Sequence, residues 1–287
     1  MHHGRNDHAT RDQGWIWLLA GTAEGIEIAA ALLAVGWRVE VSVVTASAAK
    51  AYAELAVAAV HQGPLDGDAA IAKVLERDPV CVVDATHPFA VQISAGLQRV
   101  CSRHGQPLLR FERRAVAASR DAPAPDKSVI PLDGPSALAL QSLDGHRLFV
   151  ALGSRHLAET ASAAAAAGAS LFARVMPSDV GVRQALAVGL APDHLAVLHP
   201  RTDLAPGTIE AALCRRWEIT DVICRESGGL IEGLWRRLAA ELGLQLWLLR
   251  RPAPPMGVAV VRDLEELIQH LNDDGSSCID AGFDNGG

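Results

Sequence analysis

Short apolar runs alternate along the chain with longer segments in which apolar residues recur at helical spacing. Each run leads into a turn of small residues and then into an Ala- and Leu-rich helical pattern. This alternation is typical of parallel βα units and predicts an α/β fold. In the first half the predicted strands are WIWLLA (Trp15–Ala20), RVEVSVV (Arg38–Val44), VCVVDA (Val80–Ala85) and PLLRFE (Pro107–Glu112), with AAVHQG as a further short candidate.

A stretch rich in Pro, Ala and Asp, AVAASRDAPAPDK, has no periodicity and predicts a linker. A second series of βα units follows it. Its predicted strands are RLFVAL (Arg147–Leu152), SLFARV (Ser170–Val175), LAVLH (Leu195–His199), DVIC (Asp221–Cys224) and QLWLLR (Gln245–Arg250). The 287 residues are therefore expected to form two Rossmann-like domains with parallel sheets, residues 15–114 and 128–272. The polar segments 1–14 and 273–287 are expected to be disordered tails.

The charge balance narrows the possible ligands. The 33 acidic and 26 basic residues give a net charge of -7, which argues against nucleic acid or an anionic membrane as partner. The five cysteines form no CxxC pair and the eleven histidines show no metal-ligand spacing, so no metal is expected. Cysteine usage and the lack of an 18-residue apolar run favour a cytoplasmic protein that does not span a membrane.

The segment AGTAEG follows the first predicted strand and opens the first helix. Small residues at such a turn let backbone N–H groups approach a phosphate, and the helix dipole favours the anion. Gly21, Thr22, Ala23 and Glu24 are therefore predicted to bind a dinucleotide. A tight strand-to-helix turn without a ligand is the alternative, because the full GxGxxG spacing is lacking.

The end of the second predicted strand bears on the choice of dinucleotide. An NAD site usually places Asp or Glu there, whereas this chain reads VVTASAAK. Thr45, Ser47 and Lys50 supply hydroxyls and a positive charge for a 2′-phosphate, which favours NADPH over NADH. In the alternative interpretation they are turn-forming hydroxyls and a surface lysine.

The segment DATHPFA places an acid, a hydroxyl and an imidazole where the third predicted strand ends. Thr86 or His87 could act as the cap of a helix that begins with Pro88. The same turn could also carry chemistry, with Asp84 and His87 as the candidate catalytic groups. Both interpretations are compatible with the sequence.

Positive charge recurs at the ends of predicted strands. LGSRH (Leu152–His156) and RESGG (Arg225–Gly229) each follow a strand, open a helix and contain an arginine. Arg110, Arg113 and Arg174 occupy similar positions. Five such arginines in a chain of negative net charge indicate a polyanionic ligand.

Taken in order, AGTAEG, DATHPFA, RFER, LGSRHL and RESGG resemble the precorrin-6A reductase family of cobalamin biosynthesis, which has aerobic and cobalt-precorrin forms. The resemblance spans about residues 15–251. It implies NAD(P)H-dependent reduction of a corrinoid macrocycle by two α/β domains with the active site in the cleft between them. It also implies a polycarboxylate tetrapyrrole as substrate, NADPH or NADH as cofactor, and other corrin-pathway enzymes as candidate partners.

The resemblance also assigns roles to residues. It implies that the cofactor meets the first turn and the DATHPF turn, and that the turns of the second half close over cofactor and substrate. The implied cofactor ligands beyond those above are Thr86, Phe89, Ser227 and Gly228. The implied substrate ligands are Arg110, Arg113, Gly153, Ser154, Arg174 and Arg225.

Some positions depart from the family pattern. Ala20 stands where a glycine is usual, Arg225 where a lysine is usual, and ERRAV replaces the usual ER-Pro-x-Trp. Two other classes remain open, a non-catalytic NADPH-binding module and another NAD(P)-dependent oxidoreductase. A short-chain dehydrogenase is disfavoured because the single tyrosine, Tyr52, has no lysine four residues later.

Overall fold

The computed structural model describes residues 14–113, 128–198 and 205–279. The chain divides into two units, residues 1–113 with 252–287 (unit 1) and residues 114–251 (unit 2). Each unit contains one sheet of six strands, and all the strand pairs are parallel. The predicted α/β fold with two parallel sheets is therefore confirmed.

Unit 1 is built mainly from the first part of the chain. Its strands are β1 (Trp15–Ala20), β2 (Arg38–Val43), β3 (Ala59–Gln62), β4 (Cys81–Ala85), β5 (Leu108–Phe111) and β12 (Ala259–Val261). Its helices are α1 (Glu24–Ala34), α2 (Ala46–Lys50), α3 (Gly67–Leu75), α4 (Val91–His104) and α9 (Leu264–Ile279). The strands lie in the order β12-β5-β4-β1-β2-β3.

Helices cover both faces of this sheet, which explains why β1 reads as an unbroken apolar run. Ile16 packs in a cluster with side chains of α1 and α9, including Leu267. Trp17, the next residue, points to the opposite face and packs with Ile71 of α3 and Leu97 of α4. The sheet is thereby held between two helical layers, with the ends of its strands accessible for a site.

Unit 2 repeats the arrangement with its own strands. These are β6 (Val129–Leu132), β7 (Arg147–Val150), β8 (Ser170–Val175), β9 (Leu195–Val197), β10 (Asp221–Arg225) and β11 (Gln245–Leu249). Its helices are α5 (Leu157–Ala166), α6 (Asp179–Ala187), α7 (Thr208–Arg216) and α8 (Leu230–Leu242). The strand order is β6-β11-β10-β7-β8-β9.

The strand order reverses at one point in each sheet, between β1 and β4 in unit 1 and between β7 and β10 in unit 2. In open parallel sheets, ligands bind beyond the carboxyl ends of the strands at such a switch point. The AGTAEG and DATHPFA turns follow β1 and β4, and the LGSRH and RESGG turns follow β7 and β10. The predicted motifs thus occupy the two switch points.

The predicted domain boundaries need one correction. The sequence predicts 128–272 as the second domain, but residues 252–272 belong to unit 1. There β12 pairs with β5, Val261 aligning with Phe111, and Leu267 and Leu271 are buried in the core beside α1. The sheet of unit 1 thus takes its sixth strand, β12, from the chain that follows unit 2, whereas the sheet of unit 2 consists of six consecutive strands, β6 to β11.

The tails are partly covered by the structure. Helix α9 continues to Ile279, so residues 273–279 are helical rather than a disordered tail. The remaining tail residues, 1–13 and 280–287, and the linker residues 114–127 lie outside the described residues. Within the described ranges, no helix is both long enough and apolar enough to cross a membrane.

We expect Leu267→Ala to destabilise unit 1 by about 2–5 kcal/mol, because it leaves a cavity where a fully buried leucine packs. Hydrogen exchange should show lost protection in α1 and not in β10. Leu186→Ala removes an exposed leucine from α6 and serves as the matched control, with little expected change. Loss of protection confined to β7–β11 would contradict the assignment of α9 to unit 1.

Candidate functional site

A cavity of about 220 Å³ opens beside the carboxyl ends of β1 and β2. Three predicted cofactor ligands, Gly21, Thr22 and Ala23, form one side of it. The other side is mainly apolar and comes from α1, β2 and the segment around α2. Its residues are Ile26, Val43, Ala48, Ala51 and Tyr52.

Close packing at Gly25 shapes this cavity. A Cβ atom at Gly25 would lie 2.4 Å from the Tyr52 hydroxyl and 2.6 Å from the Ala20 Cβ, so only glycine fits there. Ala20 is itself buried, and the missing side chain of Gly25 makes room for its methyl group. Burial raises the pKa of Tyr52 to about 12, so its phenol stays neutral at physiological pH.

The turn after β2 contains no carboxylate up to Lys50. The Thr45 hydroxyl caps α2 by accepting a hydrogen bond from the Ala48 N–H at 3.2 Å. Ser47 and Lys50 are exposed on the same short helix. Thr45 therefore acts as a turn-forming hydroxyl, as in the alternative to 2′-phosphate binding. The hydroxyl of Ser47 and the charge of Lys50 face solvent.

Asp84 does not point into solvent. The residue is 2% exposed, and its carboxylate accepts hydrogen bonds from the Thr86 N–H (3.0 Å), the Thr86 hydroxyl (2.6 Å) and the Ser94 hydroxyl (2.6 Å). Arg110, also 2% exposed, forms an ion pair with it at 2.8 Å and contacts the oxygens of Thr86 at 3.0 Å and Ser94 at 3.3 Å. We call these four residues the Asp84 network; it joins β4, β5 and α4.

The helix after this turn starts later than a cap at Thr86 or His87 requires. Helix α4 begins at Val91, and its N-cap position, Ala90, has no side-chain cap. Pro88 is therefore not the first helical residue, because residues 86–90 form a separate turn. Within it the Phe89 N–H donates to Nδ1 of His87 at 3.2 Å, which places the proton of a neutral imidazole on Nε2.

The turns after β1 and β4 lie side by side. A Cβ atom at Gly21 would lie 3.7 Å from the backbone nitrogen of His87 and 3.8 Å from the Cα of Thr86. The structure thus brings together Gly21, Thr86 and His87 at the switch point of unit 1. Phe89 is in the same turn, its ring centroid 5.8 Å from that of His87.

Two arginines predicted as substrate ligands are held by carboxylates of unit 1. Arg110 is turned into the protein by the Asp84 network, so its charge is directed to the core and not to a ligand. Arg113 pairs with Glu24 in the first turn of α1 at 2.8 Å. This pair neutralises an acid that would otherwise repel a phosphate at that helix end.

In unit 2 the RESGG turn is held by a buried glutamate. The Gly228 N–H donates to Glu232 at 2.7 Å, and Arg236 donates to the other carboxylate oxygen at 2.8 Å. Gly228 has φ of 70°, a conformation that favours glycine. Ser227 is buried beside it. The N–H of Gly228 is therefore already used inside the protein.

The LGSRH turn after the neighbouring strand β7 brings further positive charge. Gly153 has φ of 79° and precedes a single 3₁₀ turn, Ser154–His156. Burial lowers the pKa of the Arg225 guanidinium, and the nearby charge of Arg155 lowers it further. Burial likewise lowers the pKa of His156, with Arg225 adding to the effect.

Arg174, the remaining predicted substrate ligand, pairs with Glu210 of α7 at 2.6 Å. Its charge is thus compensated within unit 2.

Several residues of the site were not singled out from the sequence. Ser94 carried a detectable signal, since it is a polar residue on the face of α4 that otherwise buries Leu97 and Cys101. Tyr52 and Glu232 carried no such signal, because their roles depend on neighbours distant in sequence.

No cluster of His, Cys, Asp and Glu suited to a metal occurs among the residues with described side chains.

Comparison with known proteins gives a consistent result. The family model Precorrin-6x reductase CbiJ/CobK matches residues 15–272. The cobalt-precorrin-6A reductase of Synechocystis is 30% identical over 262 residues, covering 88% of this chain and 94% of the relative. The precorrin-6A reductase of Rhodobacter capsulatus is 31% identical over 219 residues, covering 75% and 80%.

A solved structure of CobK precorrin-6A reductase aligns with a TM-score of 0.67 at 26% identity, covering 91% of this chain and 97% of that one. The match to the family model includes residues 252–272. These residues belong to unit 1 and lie beyond residue 251, where the resemblance carried by the sequence motifs ends. The chain belongs to the precorrin-6x reductase family.

Proposed function

We propose that the protein is an oxidoreductase that uses NAD(P)H to reduce the precorrin-6A macrocycle to the 6B form in cobalamin biosynthesis. The reaction acts on a CH–CH group. The observation that carries the proposal is the meeting of the AGTAEG and DATHPFA turns at the switch point of unit 1, where a Cβ atom on Gly21 would lie within 3.8 Å of both Thr86 and His87. The match to the family model along residues 15–272 supports the same function.

The cofactor is proposed to bind unit 1. The residues present fit a dinucleotide, because the side-chain-free Gly21 allows close approach at the start of α1 and the adjoining cavity is lined by apolar groups. The pyrophosphate would be held at the α1 N-terminus and the adenosine in the cavity beside Val43 and Tyr52. When bound, the nicotinamide supplies the hydride.

NADPH is the proposed form of the cofactor. No acid follows β2 to bind the ribose hydroxyls, whereas Ser47 and Lys50 are exposed there. The Arg113–Glu24 ion pair keeps the first turn of α1 from repelling the phosphates.

The turn after β4 is proposed to position the reactants. The Asp84 network holds the turn rigid, so Asp84 is a positioning residue and not a proton donor in this scheme. His87 presents Nε2–H as a hydrogen-bond donor, since Nδ1 accepts from Phe89. Holding donor and acceptor in line can supply most of the rate of a hydride transfer.

The carboxylates of the tetrapyrrole are proposed to be bound by unit 2. Arg225 ends β10, and Arg155 lies in the turn after the neighbouring strand β7, so both are proposed as carboxylate ligands. Gly153 and Ser154 belong to the same turn as Arg155.

Turnover assays with precorrin-6A and cobalt-precorrin-6A, each with NADPH and NADH, test the proposal directly. The relatives include enzymes named for both substrates, so the assay also identifies the one this protein uses. Cofactor binding without oxidation in all four combinations would instead favour a non-catalytic NADPH-binding module.

We expect His87→Asn to keep the fold and slow hydride transfer by up to about 100-fold, since small misplacements of reacting atoms have effects of this size. Asn preserves the turn because its side-chain oxygen can accept the N–H two residues on. The measurement is single-turnover transfer from 4-deuterated NADPH together with thermal melting. His104→Asn at the far end of α4 is the control. An unchanged rate in His87→Asn would reduce His87 to a turn-forming residue.

Ser47→Asp is expected to raise the KM for NADPH at least about tenfold more than the KM for NADH, because a carboxylate replaces a donor to the 2′-phosphate. The fold should tolerate it, as an acid in the first turn of α2 suits the helix dipole. Ser47→Asn, similar in shape but neutral, should discriminate far less. Equal changes for both cofactors would show that this turn does not bind the 2′-phosphate.

For Arg110→Met we predict a loss of about 3–5 kcal/mol in unfolding free energy, since the Asp84 carboxylate would stay buried without its charged partner. Urea denaturation measures this loss. A variant with wild-type stability but weakened tetrapyrrole binding would show that Arg110 acts on the substrate instead.

A further inference from the structure

Tyr52 is a buried residue whose hydroxyl does not help to hold the fold. It lies in the turn after α2 and is 3% exposed. Among the groups that the structure describes, none forms a hydrogen bond with this hydroxyl. A buried hydroxyl without a partner costs free energy, because it has given up its hydrogen bonds to water. Phenylalanine would serve for packing alone, so the hydroxyl points to a ligand.

The hydroxyl of Tyr52 lies at the start of α1. A Cβ atom at Gly25, the second residue of this eleven-residue helix, would lie 2.4 Å from it. Tyr52 also lines the cavity of about 220 Å³ together with Gly21, Thr22 and Ala23, which form the turn before the helix. The phenol is thus placed where the cavity meets the N-terminus of α1.

The chemistry of this position suits an anion. The N-cap residue Ala23 supplies no side-chain acceptor, so the helix end can donate its first N–H groups to a ligand. Of the two acids in the first turn, Glu24 pairs with Arg113 at 2.8 Å, and Glu27 is exposed to solvent, which screens its charge. Burial raises the pKa of Tyr52 to about 12, so the neutral phenol can donate its proton.

We propose that the Tyr52 hydroxyl donates a hydrogen bond to the pyrophosphate of the dinucleotide at the N-terminus of α1. This inference rests on the proposed function, which assigns NAD(P)H to unit 1, and adds a cofactor-binding residue from outside the AGTAEG turn. A phosphate oxygen fits the position because it is charged and accepts from a neutral donor. An adenine ring alone would pack equally well against phenylalanine and would leave the hydroxyl unpaired.

The variant Tyr52→Phe removes the hydroxyl and keeps the ring. In the full-length protein it should melt at the wild-type temperature or above, because no hydrogen bond within the described protein is lost. Its Kd for NADPH and its Kd for NADH should both rise at least about tenfold, since the lost bond goes to a charged group that both cofactors contain. Isothermal titration calorimetry measures these constants, with ADP as a third ligand that contains the pyrophosphate.

The matched control is Ser42→Ala, which also removes a buried hydroxyl from unit 1. The Ser42 hydroxyl accepts a hydrogen bond from the indole N–H of Trp17 at 2.9 Å, on the face of the sheet opposite to Tyr52. The control should therefore melt at a lower temperature and bind both cofactors as the wild type does. Opposite behaviour of the two variants separates a ligand contact from a structural one.

Tyr52 can also be observed directly, because the chain contains one tyrosine. Tyrosine labelled with carbon-13 at Cζ gives a single NMR signal, and a hydrogen bond from the phenol changes the shielding of that carbon. The signal should shift when NADPH, NADH or ADP is added, and by a smaller amount with adenosine. Equal shifts with ADP and adenosine overturn the inference, as do unchanged Kd values in Tyr52→Phe. A loss of affinity confined to NADPH overturns it too, since the contact would then be to the 2′-phosphate.

Failure of the proposed function would look different. The wild-type protein would then bind NADPH with an affinity that depends on the Tyr52 hydroxyl, yet oxidise none of it with either precorrin substrate. In that case Tyr52 would stand as a dinucleotide-binding residue, and the reductase activity would be rejected.

Discussion

The buried carboxylate of Asp84 is the constraint on which the arrangement of unit 1 depends. A charge at this depth is tolerated only when it is paired and hydrogen-bonded, and Asp84 obtains this from Thr86, Ser94 and Arg110. The hydrogen bonds and the ion pair of this one carboxylate therefore connect the end of β4 to β5 and α4. It also sets the turn of residues 86–90, against which Gly21 of the neighbouring turn lies.

Most of the fold could be predicted because the central strands are long enough to show a pattern. The nine strands given as firm predictions all correspond to strands of the structure, within one or two residues at their ends. The strands β6 and β12 were missed; β6 contains Pro131, which is unusual inside a strand, and β12 has only three residues and lies after the series of βα units of the second half. Proline is tolerated in β6 because that strand lies at the edge of its sheet. Because β12 was missed, the C-terminal boundary of the second domain was also misplaced.

The part of the candidate site that could be predicted is the position of its turns, because each turn follows a strand of a βα unit. The turns after β1, β4, β7 and β10 could be located because motif residues directly follow apolar runs. The direction of each side chain could not be predicted. Whether Arg110 faces a ligand or Asp84, and whether Thr45 contacts a phosphate or caps α2, depends on contacts that the local sequence does not encode.

The late position of β12 has a consequence for synthesis on the ribosome. All six strands of unit 2 lie within residues 129–249, whereas the sheet of unit 1 is complete only after Val261 has been made. The second unit can therefore finish folding while the first still exposes the edge of β5 and the apolar surface that α9 later covers. An open strand edge is a site of intermolecular association. A nascent chain stalled before residue 259 would thus be the form most prone to aggregate.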